Sequence, residues 1–292
     1  MEKVLVLGAT GMLGSQIFRV LSKETSLKVV GTSNIQTASC AKFVVGHDSL
    51  NRLLELTKPD FVINCIGKIP QKSSSKFKPA NFIKMFKINS LFNIRLSNLC
   101  KKNGFVLIQI QTDCVYKGNK GPYSEKSRKN AWDIYGLTKR IGERSSKNQI
   151  NIRTSIVGKE TNSCSSLFAW FENTSQNSCI NGYVNHLWNG VTTNVFAKLC
   201  HGIIMNSTIR NLDTHLVPAN YVSKYELIYF LKQHLNRNDI KIVAYNFPSS
   251  VDRRLHTVNE DINNLLWSIA GYNGVPRIEE LVREMISENE AE

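Results

Sequence analysis

Residues 3–22 read KVLVLGATGMLGSQIFRVLS and contain three patterns in succession. Residues 3–7 form a short apolar run, which is typical of a buried strand in a parallel sheet. A glycine-rich turn follows at residues 8–14, and residues 15–22 have the apolar spacing of an amphipathic helix. The order of strand, glycine turn and helix predicts the first unit of an α/β fold with a doubly wound parallel sheet.

The glycine turn has the geometry needed to bind the phosphates of a dinucleotide. Gly8 permits a tight turn, Gly11 lets the backbone approach a pyrophosphate, and Gly14 lets the helix pack close to the strand. The free N–H groups at the start of the helix would face the phosphates. The spacing Gly-x-x-Gly-x-x-Gly differs from the commoner Gly-x-Gly-x-x-Gly, but the flanking strand and helix favour cofactor binding over a turn without a ligand.

The end of the second predicted strand, residues 27–32, bears on which dinucleotide binds. An acidic residue at this place would bind the adenosine ribose of NAD, but Ser33 and Asn34 are both neutral. Neither side chain would repel a 2′-phosphate, although no arginine stands there to hold one. NADP(H) is therefore the favoured cofactor, and NAD(H) stays the alternative.

Strands and helices continue to alternate up to residue 158. Strands are predicted at 43–45, 61–67, 105–110 and 151–158, and helices at 50–56 and 82–101. This alternation predicts a Rossmann-type, doubly wound parallel sheet for residues 1–158.

Two polar residues of this region, Asp48 and Asn89, have alternative interpretations. Asp48 and Ser49 are suited to cap the helix at 50–56, and contact with the adenine is the alternative for Asp48. Asn89, inside the long predicted helix, either caps backbone groups near the site or lies on the surface. Gly67 ends the strand at 61–67 at the place where a cofactor would pass.

A second site is predicted where the strand at 105–110 ends. This strand leads into Thr112, and the helix predicted at 134–147 places Tyr135 and Lys139 four residues apart on one face. A hydroxyl, a phenol and an ammonium that face one cleft can deliver a proton to a carbonyl oxygen. Because Tyr-x-x-x-Lys also occurs by chance in helices, the other motifs must decide whether this one is functional.

Residues 159–292 are expected to form a smaller α/β lobe that binds the substrate, with residues 188–216 returning to pack on the first domain. The predicted elements are a helix ending at Met205, a strand at 216–217, a helix from the capping box Ser223–Glu226 to about Leu235, a strand at 240–244, and helices at 259–270 and 278–287. No repeat or long linker separates the two halves.

The charge, the cysteines and the apolar runs indicate which partners and which location to expect. The 292 residues carry a formal net charge of +14, but no nucleic-acid motif accompanies it, so we favour a solvated basic surface, with attraction of an anionic substrate as the alternative. Seven cysteines without a Cys-x-x-Cys pair indicate reduced thiols in a cytoplasmic protein and no metal site. We expect no membrane span and no signal peptide, since no apolar run is long enough.

Several motifs together resemble one family of enzymes. They are the glycine turn, QTDCVYKG at 111–118, GPYSE at 121–125, YGLTKRIGE at 135–143 and IRTS at 152–155. The combination resembles the extended short-chain dehydrogenase/reductase superfamily and, within it, the dTDP-4-dehydrorhamnose reductase family. Gln111 departs from the Ser-Thr-Asp that the family commonly has, yet the threonine hydroxyl is kept.

The resemblance implies hydride transfer from NAD(P)H to C4 of a nucleotide-linked 4-keto-6-deoxy sugar, in surface polysaccharide biosynthesis. Tyr135 would be the general acid, and Lys139 and the positive nicotinamide ring of the oxidised cofactor would lower its pKa. Lys139 would also hold the nicotinamide ribose, and Thr112 would orient the keto oxygen. The expected cofactor-binding residues are Gly8, Thr10, Gly11, Met12, Leu13, Gly14, Ser33, Cys65, Ile66, Gly67, Tyr135 and Lys139. The expected substrate-binding residues are Thr112, Asp113, Tyr135, Arg253 and Arg254.

Some of these expectations have alternatives. Surface charge is the alternative for Arg253 and Arg254, whose proposed partner is the substrate pyrophosphate. Dehydration is disfavoured because Cys114, rather than a second acid, follows Asp113. A sugar-nucleotide epimerase would use the same Thr, Tyr and Lys, and a non-catalytic NADP-binding subunit would resemble the regulatory subunit of eukaryotic methionine adenosyltransferase. The sequence leaves open whether dTDP, UDP or GDP carries the sugar, and is compatible with a homodimer.

Overall fold

The fold is built on a seven-stranded sheet in a computed structural model that describes residues 1–70, 79–160, 166–206 and 208–290. The strands are β1 (Glu2–Leu7), β2 (Leu27–Ser33), β3 (Cys40–Lys42), β4 (Phe61–Asn64), β5 (Val106–Gln111), β6 (Gln149–Arg153), β7 (Ile156–Val157), β8 (Cys179–Tyr183), β9 (His186–Trp188), β10 (Val191–Thr192), β11 (Leu212–His215), β12 (Val222–Ser223), β13 (Lys241–Tyr245) and β14 (Val251–Asp252). The large sheet has the order β11-β6-β5-β4-β1-β2-β3, and every pairing in it is parallel. The prediction of a doubly wound parallel sheet is confirmed.

Helices pack on both faces of this sheet, α1 and α7 on one and α2 and α4 on the other. The helices of the described residues are α1 (Met12–Ser22), α2 (Leu50–Thr57), α3 (Pro79–Phe86), α4 (Asn93–Asn103), α5 (Ile134–Gly142), α6 (Leu167–Glu172), α7 (Thr193–Met205), α8 (Lys224–His234), α9 (Glu260–Ile269) and α10 (Ile278–Glu290). In the ranges given above, no helix combines the length and the apolarity that crossing a bilayer requires.

Strand β1 shows how the two faces are filled. Side chains of a strand alternate between faces, and Val4 and Val6 enter a core with α1 and α7, whereas Leu5 and Leu7 enter a core with α2 and α4. All four residues are buried, which explains why the strand is a continuous apolar run. Burial on both faces leaves the strand ends as the places where polar side chains can gather.

A third core lies in the second half of the chain. It joins α6, α8 and α10 through Phe171, Leu227 and Val282, among others. Residues 188–216 contribute to both halves of the chain. Trp188 belongs to this third core, whereas α7 packs in the core against α1 and β11 pairs with β6 of the large sheet. The division of the chain at residue 158 stays a prediction.

Three strand predictions were wrong in position. The third strand is β3, which pairs with β2 and ends at Lys42, just before the range predicted at 43–45; the Phe43 N–H makes the last hydrogen bond to β2, at 2.7 Å to the Ser33 carbonyl oxygen. The strand predicted at 151–158 is split into β6 and β7, since β7 pairs with β10 rather than with the large sheet. The strand predicted at 216–217 lies earlier, at β11.

Two helix predictions were also wrong in part. Helix α5 ends at Gly142 rather than at residue 147, because Glu143 is extended and its carboxylate binds Arg153. The long helix predicted at 82–101 is interrupted between α3 and α4 by a wider π-helical segment, Lys87–Phe92. The capping box of α8, which joins Ser223 and Glu226, is present as predicted.

Glu125 ties the first half of the chain to the second. Its Oε1 accepts hydrogen bonds from the Thr257 hydroxyl at 2.6 Å and the His215 N–H at 3.0 Å, and its Oε2 accepts one from the Val258 N–H at 3.1 Å. Burial alone would raise the pKa of Glu125, but these hydrogen bonds outweigh burial and lower the pKa to about 2. The ionised carboxylate is thus the form that stabilises the fold.

Replacement of this carboxylate by a neutral amide, Glu125→Gln, is expected to lower the free energy of unfolding by about 1 kcal/mol at pH 7, since the site is partly exposed. The folded pKa lies below the ordinary value of 4.5, so the stabilisation is complete above that pH and is lost as the pH falls towards 2. Urea unfolding from pH 7 to pH 2.5 measures the effect, with the exposed Glu55→Gln as the control. A difference from wild type that does not shrink below pH 4.5 would contradict the assignment.

Candidate active site

Two neighbouring cavities open at the carboxyl ends of the central strands, where parallel α/β sheets bind ligands. A cavity of about 560 Å³ is lined by the glycine turn, the end of β2 and the segment that follows β4. A cavity of about 410 Å³ is lined by Thr112, Tyr135 and Lys139. The side chains predicted for proton transfer are therefore brought together.

The glycine turn owes its shape to close backbone contacts. Gly8 has φ +78°, a conformation that side chains rarely allow. A Cβ atom on Gly14 would lie 2.1 Å from the Gly8 carbonyl oxygen, so α1 can approach β1 only because Gly14 has no side chain. Gly11 has ordinary dihedrals, its Cβ would meet no atom closer than 3.5 Å, and it borders the larger cavity. Gly11 thus leaves room for a ligand beside the start of α1.

Most of the predicted cofactor-binding residues border a cavity. The larger cavity is lined by Gly8, Thr10, Gly11, Ser33, Cys65, Ile66 and Gly67, and the smaller by Met12, Tyr135 and Lys139. Leu13 and Gly14 are among the lining residues of neither, since Leu13 packs on the core and Gly14 on the Gly8 carbonyl. Sequence reasoning missed His47, Lys68 and Lys84, which also line the larger cavity.

The alternatives for the polar residues near this cavity are settled by their hydrogen bonds. Ser49 caps α2, whereas Asp48 accepts a hydrogen bond from the Val44 N–H at 2.6 Å and is not a lining residue. Asn89 is buried and binds both backbone groups of Lys68, at 2.8 and 2.9 Å, and the Thr138 hydroxyl at 3.2 Å. Asn89 therefore connects the segment after β4 to helix α5.

The three candidate catalytic groups are held by local structure. Thr112 directly follows β5, and its hydroxyl accepts from the Cys114 N–H and donates to Asp113, both at 3.1 Å. Tyr135 lies in the first turn of α5, and the Lys139 Nζ lies 5.9 Å from the centre of its ring. The ammonium and the phenol therefore lie beside each other in the lining of the smaller cavity.

Burial dominates the electrostatics of the pair. It raises the pKa of Tyr135, Cys114 and Asp113 add to the rise, and the Thr112 hydroxyl opposes it. The lowering expected from Lys139 together with the nicotinamide ring of the oxidised cofactor stays a prediction. Burial also lowers the pKa of Lys139, against which Glu143 acts most strongly. The phenol consequently keeps its proton at neutral pH, which is the state that a general acid needs.

Lys224 is a cavity residue that sequence reasoning missed. It is the first residue of α8, borders the smaller cavity, and its Nζ lies 5.3 Å from the centre of a Trp188 ring that lines the same space. Burial lowers the pKa of Lys224, and the nearby Asp113 opposes this shift. The capping box fixed the place of Lys224 on the helix, but only the folding of the second lobe against β5 brings it to the cavity.

Neither predicted arginine lines the two cavities. The Arg253 Nε donates to the Tyr116 carbonyl oxygen at 3.1 Å, and its charge acts on Asp113. Arg254 makes two hydrogen bonds of 2.8 Å to Asp252 and stacks 4.0 Å from the centre of the Tyr221 ring. The geometry of Arg254 corresponds to the surface-charge alternative, and a role for Arg253 in substrate binding stays a prediction.

The cysteines that the structure describes form neither disulfide bonds nor part of a metal site. The described cysteines at 40, 65, 100, 114, 179 and 200 are free thiols, and Cys164 lies outside the described residues. In the part of the chain that the structure describes, no three His, Cys, Asp or Glu side chains are grouped to hold a metal ion.

Residues 1–165 of this chain match the family model of the RmlD substrate binding domain. The chain belongs to this family. The match covers more than half of the 292 residues and includes the glycine turn and the three candidate catalytic residues. The family resemblance predicted from the motifs is thus confirmed.

Curated relatives of this RmlD-family chain differ in function. A methionine adenosyltransferase 2 subunit beta from Xenopus tropicalis is 30% identical over 149 residues, covering 49% of this chain and 42% of that protein. A dTDP-4-dehydrorhamnose reductase from Streptomyces griseus is 28% identical over 142 residues, covering 48% and 43%. The chain thus matches less than half of the length of either relative.

A solved structure extends the likeness to the whole chain. The dTDP-4-dehydrorhamnose reductase of Bacillus anthracis in complex with NADP superposes with a TM-score of 0.77 over 99% of both chains, at 16% identity. At this identity, the likeness shows the shared fold.

A matched pair of glycine substitutions tests the phosphate-binding turn. Gly14→Ala is expected to lower the free energy of unfolding by about 2 kcal/mol or more, because the added Cβ meets backbone atoms that cannot move aside. Gly11→Ala is expected to keep the unfolding temperature of wild type but to weaken NADP(H) binding by about tenfold or more. Thermal unfolding and fluorescence titration measure the two effects. Equal binding by Gly11→Ala and wild type would show that the turn does not hold a dinucleotide.

Proposed function

We propose that this chain is an NADPH-dependent reductase of a nucleotide-linked 4-keto-6-deoxy sugar in the biosynthesis of surface polysaccharide. The observation that carries the proposal is the meeting of Thr112, Tyr135 and Lys139 in one cavity beside the glycine turn. The reductase among the curated relatives supports it. A cytoplasmic location, supported by the free thiols, and a homodimer are further parts of the proposal.

The larger cavity fits the adenosine and phosphate portions of a dinucleotide. The N–H groups of the first turn of α1, which has no side-chain cap, provide donors for a pyrophosphate beside this cavity. Neutral Ser33, together with Lys68 and Lys84 in the same cavity, favours the additional phosphate of NADPH over the ribose of NADH. The bound cofactor would supply the hydride.

The residues of the smaller cavity suit the proton transfer. Thr112 can donate a hydrogen bond to a keto oxygen, and Tyr135 can pass its proton to that oxygen as negative charge develops. Lys139, beside the phenol, would stabilise the phenolate that remains and hold the ribose of the cofactor. Lys224 and Trp188 provide a cation and an aromatic ring on another part of the wall, where oxygen atoms of a sugar nucleotide could bind.

A non-catalytic subunit is the second candidate, because one relative is a subunit of methionine adenosyltransferase. Such a protein would need the glycine turn but not the proton donor. The presence of the phenol, ammonium and threonine hydroxyl in one cavity favours the enzyme.

The central test is Tyr135→Phe, assayed for NADPH oxidation with a panel of dTDP-, UDP- and GDP-linked 4-keto sugars. Turnover is expected to fall by about 10²-fold or more, because the general acid is removed, while the Kd for NADPH changes by less than about threefold. The exposed Tyr229→Phe is the matched control. Near-full turnover by Tyr135→Phe would show that another group is the acid.

Inactive wild-type protein in this panel would remove the reductase proposal. Interconversion of sugar nucleotides by protein that retains NAD would then indicate an epimerase. A stoichiometric co-purifying protein would indicate the regulatory subunit.

Lys224→Met is expected to raise the KM for the sugar nucleotide about tenfold and to leave the Kd for NADPH unchanged, because the lost ammonium faces the substrate cavity. Lys224→Arg should recover part of the loss. Steady-state kinetics measure the change, and Lys241→Met, at an exposed lysine, is the control. An unchanged KM in Lys224→Met would exclude contact with the substrate.

A further inference from the structure

Arg153 lies at the end of β6 and is almost fully buried, with only 3% of its side chain exposed. Its guanidinium donates to the Thr112 carbonyl oxygen at 2.6 Å, to the Gln111 Oε1 at 2.7 Å and to the Glu143 Oε1 at 2.7 Å. The first of these acceptors belongs to the residue whose hydroxyl faces the smaller cavity.

The carboxylate of Glu143 accepts one of these hydrogen bonds and belongs to a different element from Thr112. Glu143 follows the last residue of α5 and lies four positions after Lys139, and its carboxylate also pairs with Lys129. The Glu143–Arg153 pair thus connects the end of α5, which carries Tyr135 and Lys139, to the end of β5, which carries Thr112.

We propose that Arg153 and Glu143 are positioning residues: Arg153 fixes the backbone of Thr112 relative to α5, and Glu143 orients Arg153 and places a negative charge near Lys139. This inference rests on the proposed function, because the groups that are positioned are those of the proposed reductase.

The charge around Lys139 supports the second role of Glu143. Burial lowers the pKa of Lys139, and the groups that oppose the shift are Glu143, Cys114 and Cys65. Burial raises the pKa of both thiols to about 12, and Tyr135 is likewise protonated, so these groups are neutral at pH 7. Burial would also raise the pKa of Glu143, but Arg153 and Lys129 outweigh it and lower the pKa. Among these groups, Glu143 alone carries a negative charge that acts on Lys139.

An arginine is required at this position for geometric reasons. A planar guanidinium can donate to three acceptors in fixed directions, and here it also lies 5.6 Å from the centre of the Tyr116 ring. A lysine ammonium donates from a single nitrogen and cannot reproduce the fork in which two guanidinium nitrogens bind three acceptors. The loss of activity should therefore be graded between Arg153→Lys and Arg153→Met.

The experiment compares Arg153→Lys, Arg153→Met and Glu143→Gln with a matched control, Arg237→Met. Arg237 also donates to two carbonyl oxygens, those of Glu172 and Thr174, and pairs with Asp239, but it lines neither cavity. The measurements are kcat, KM and the Kd for NADPH across pH, with thermal unfolding to confirm that each variant is folded.

Arg153→Met is expected to lower kcat on the order of 30-fold, and Arg153→Lys by about fivefold, with the NADPH Kd within about twofold of wild type at pH 7. Glu143→Gln keeps an acceptor for Arg153 but removes the charge. It should therefore shift the fall of kcat and of NADPH binding at high pH to lower pH, by about half a unit or more. The reason is that Lys139 loses its proton more readily without the nearby negative charge. Arg237→Met should change unfolding alone.

Three results would overturn the inference: kcat of Arg153→Lys within about 1.5-fold of wild type, a kcat loss in Arg237→Met equal to that of the Arg153 variants, or an unshifted fall at high pH in Glu143→Gln. If Arg153→Met fails to fold, the inference is tested with Arg153→Lys and Glu143→Gln. If the wild-type protein binds NADPH but shows no turnover, the proposed function is wrong. The inference is then tested by the pH dependence of NADPH binding alone. A wild type that binds no dinucleotide removes both.

Discussion

Helix α5 is held against its neighbours by backbone contacts that leave no room for a side chain. A Cβ atom on Gly136 would lie 2.4 Å from the Cys114 carbonyl oxygen, and one on Gly142 would lie 1.9 Å from the Asn89 carbonyl oxygen. The two contacts lie at opposite ends of a nine-residue helix. Tyr135 and Lys139 therefore have fixed positions relative to the end of β5, and the smaller cavity takes its shape from this constraint.

The parts of the fold that could be predicted from the sequence are those set by local chemistry. The glycine turn, the capping box of α8 and the end of α4 at Gly104, with φ +76°, each depend on a few adjacent residues. The alternation of strand and helix then determined the parallel sheet. Its strands are buried on both faces, so their apolar runs are long enough to recognise.

The remaining features depend on contacts between distant segments, which a single sequence does not reveal. Helix α5 ends where Glu143 meets Arg153, ten residues later, and the position of the third strand is set by the pairing of Cys40–Lys42 with the end of β2. Lys224 reaches the cavity only through the packing of the second lobe. In the candidate site, the glycines and the Thr, Tyr and Lys side chains could be predicted from motifs, whereas the charges that surround them could not.

The buried charges near the site favour an enzyme over a binding subunit. Lys139, Lys224 and Asp113 border one cavity, and burial shifts the pKa of each towards its neutral form. Holding such groups away from water costs stability unless they are paired, and here Asp113 and Lys224 act on each other while Glu143 acts on Lys139. A protein that only binds a dinucleotide could use Lys139 to hold the ribose but would gain stability by replacing Lys224 with an apolar residue. The presence of Lys224 in this cavity is explained if a substrate with oxygen acceptors completes the site.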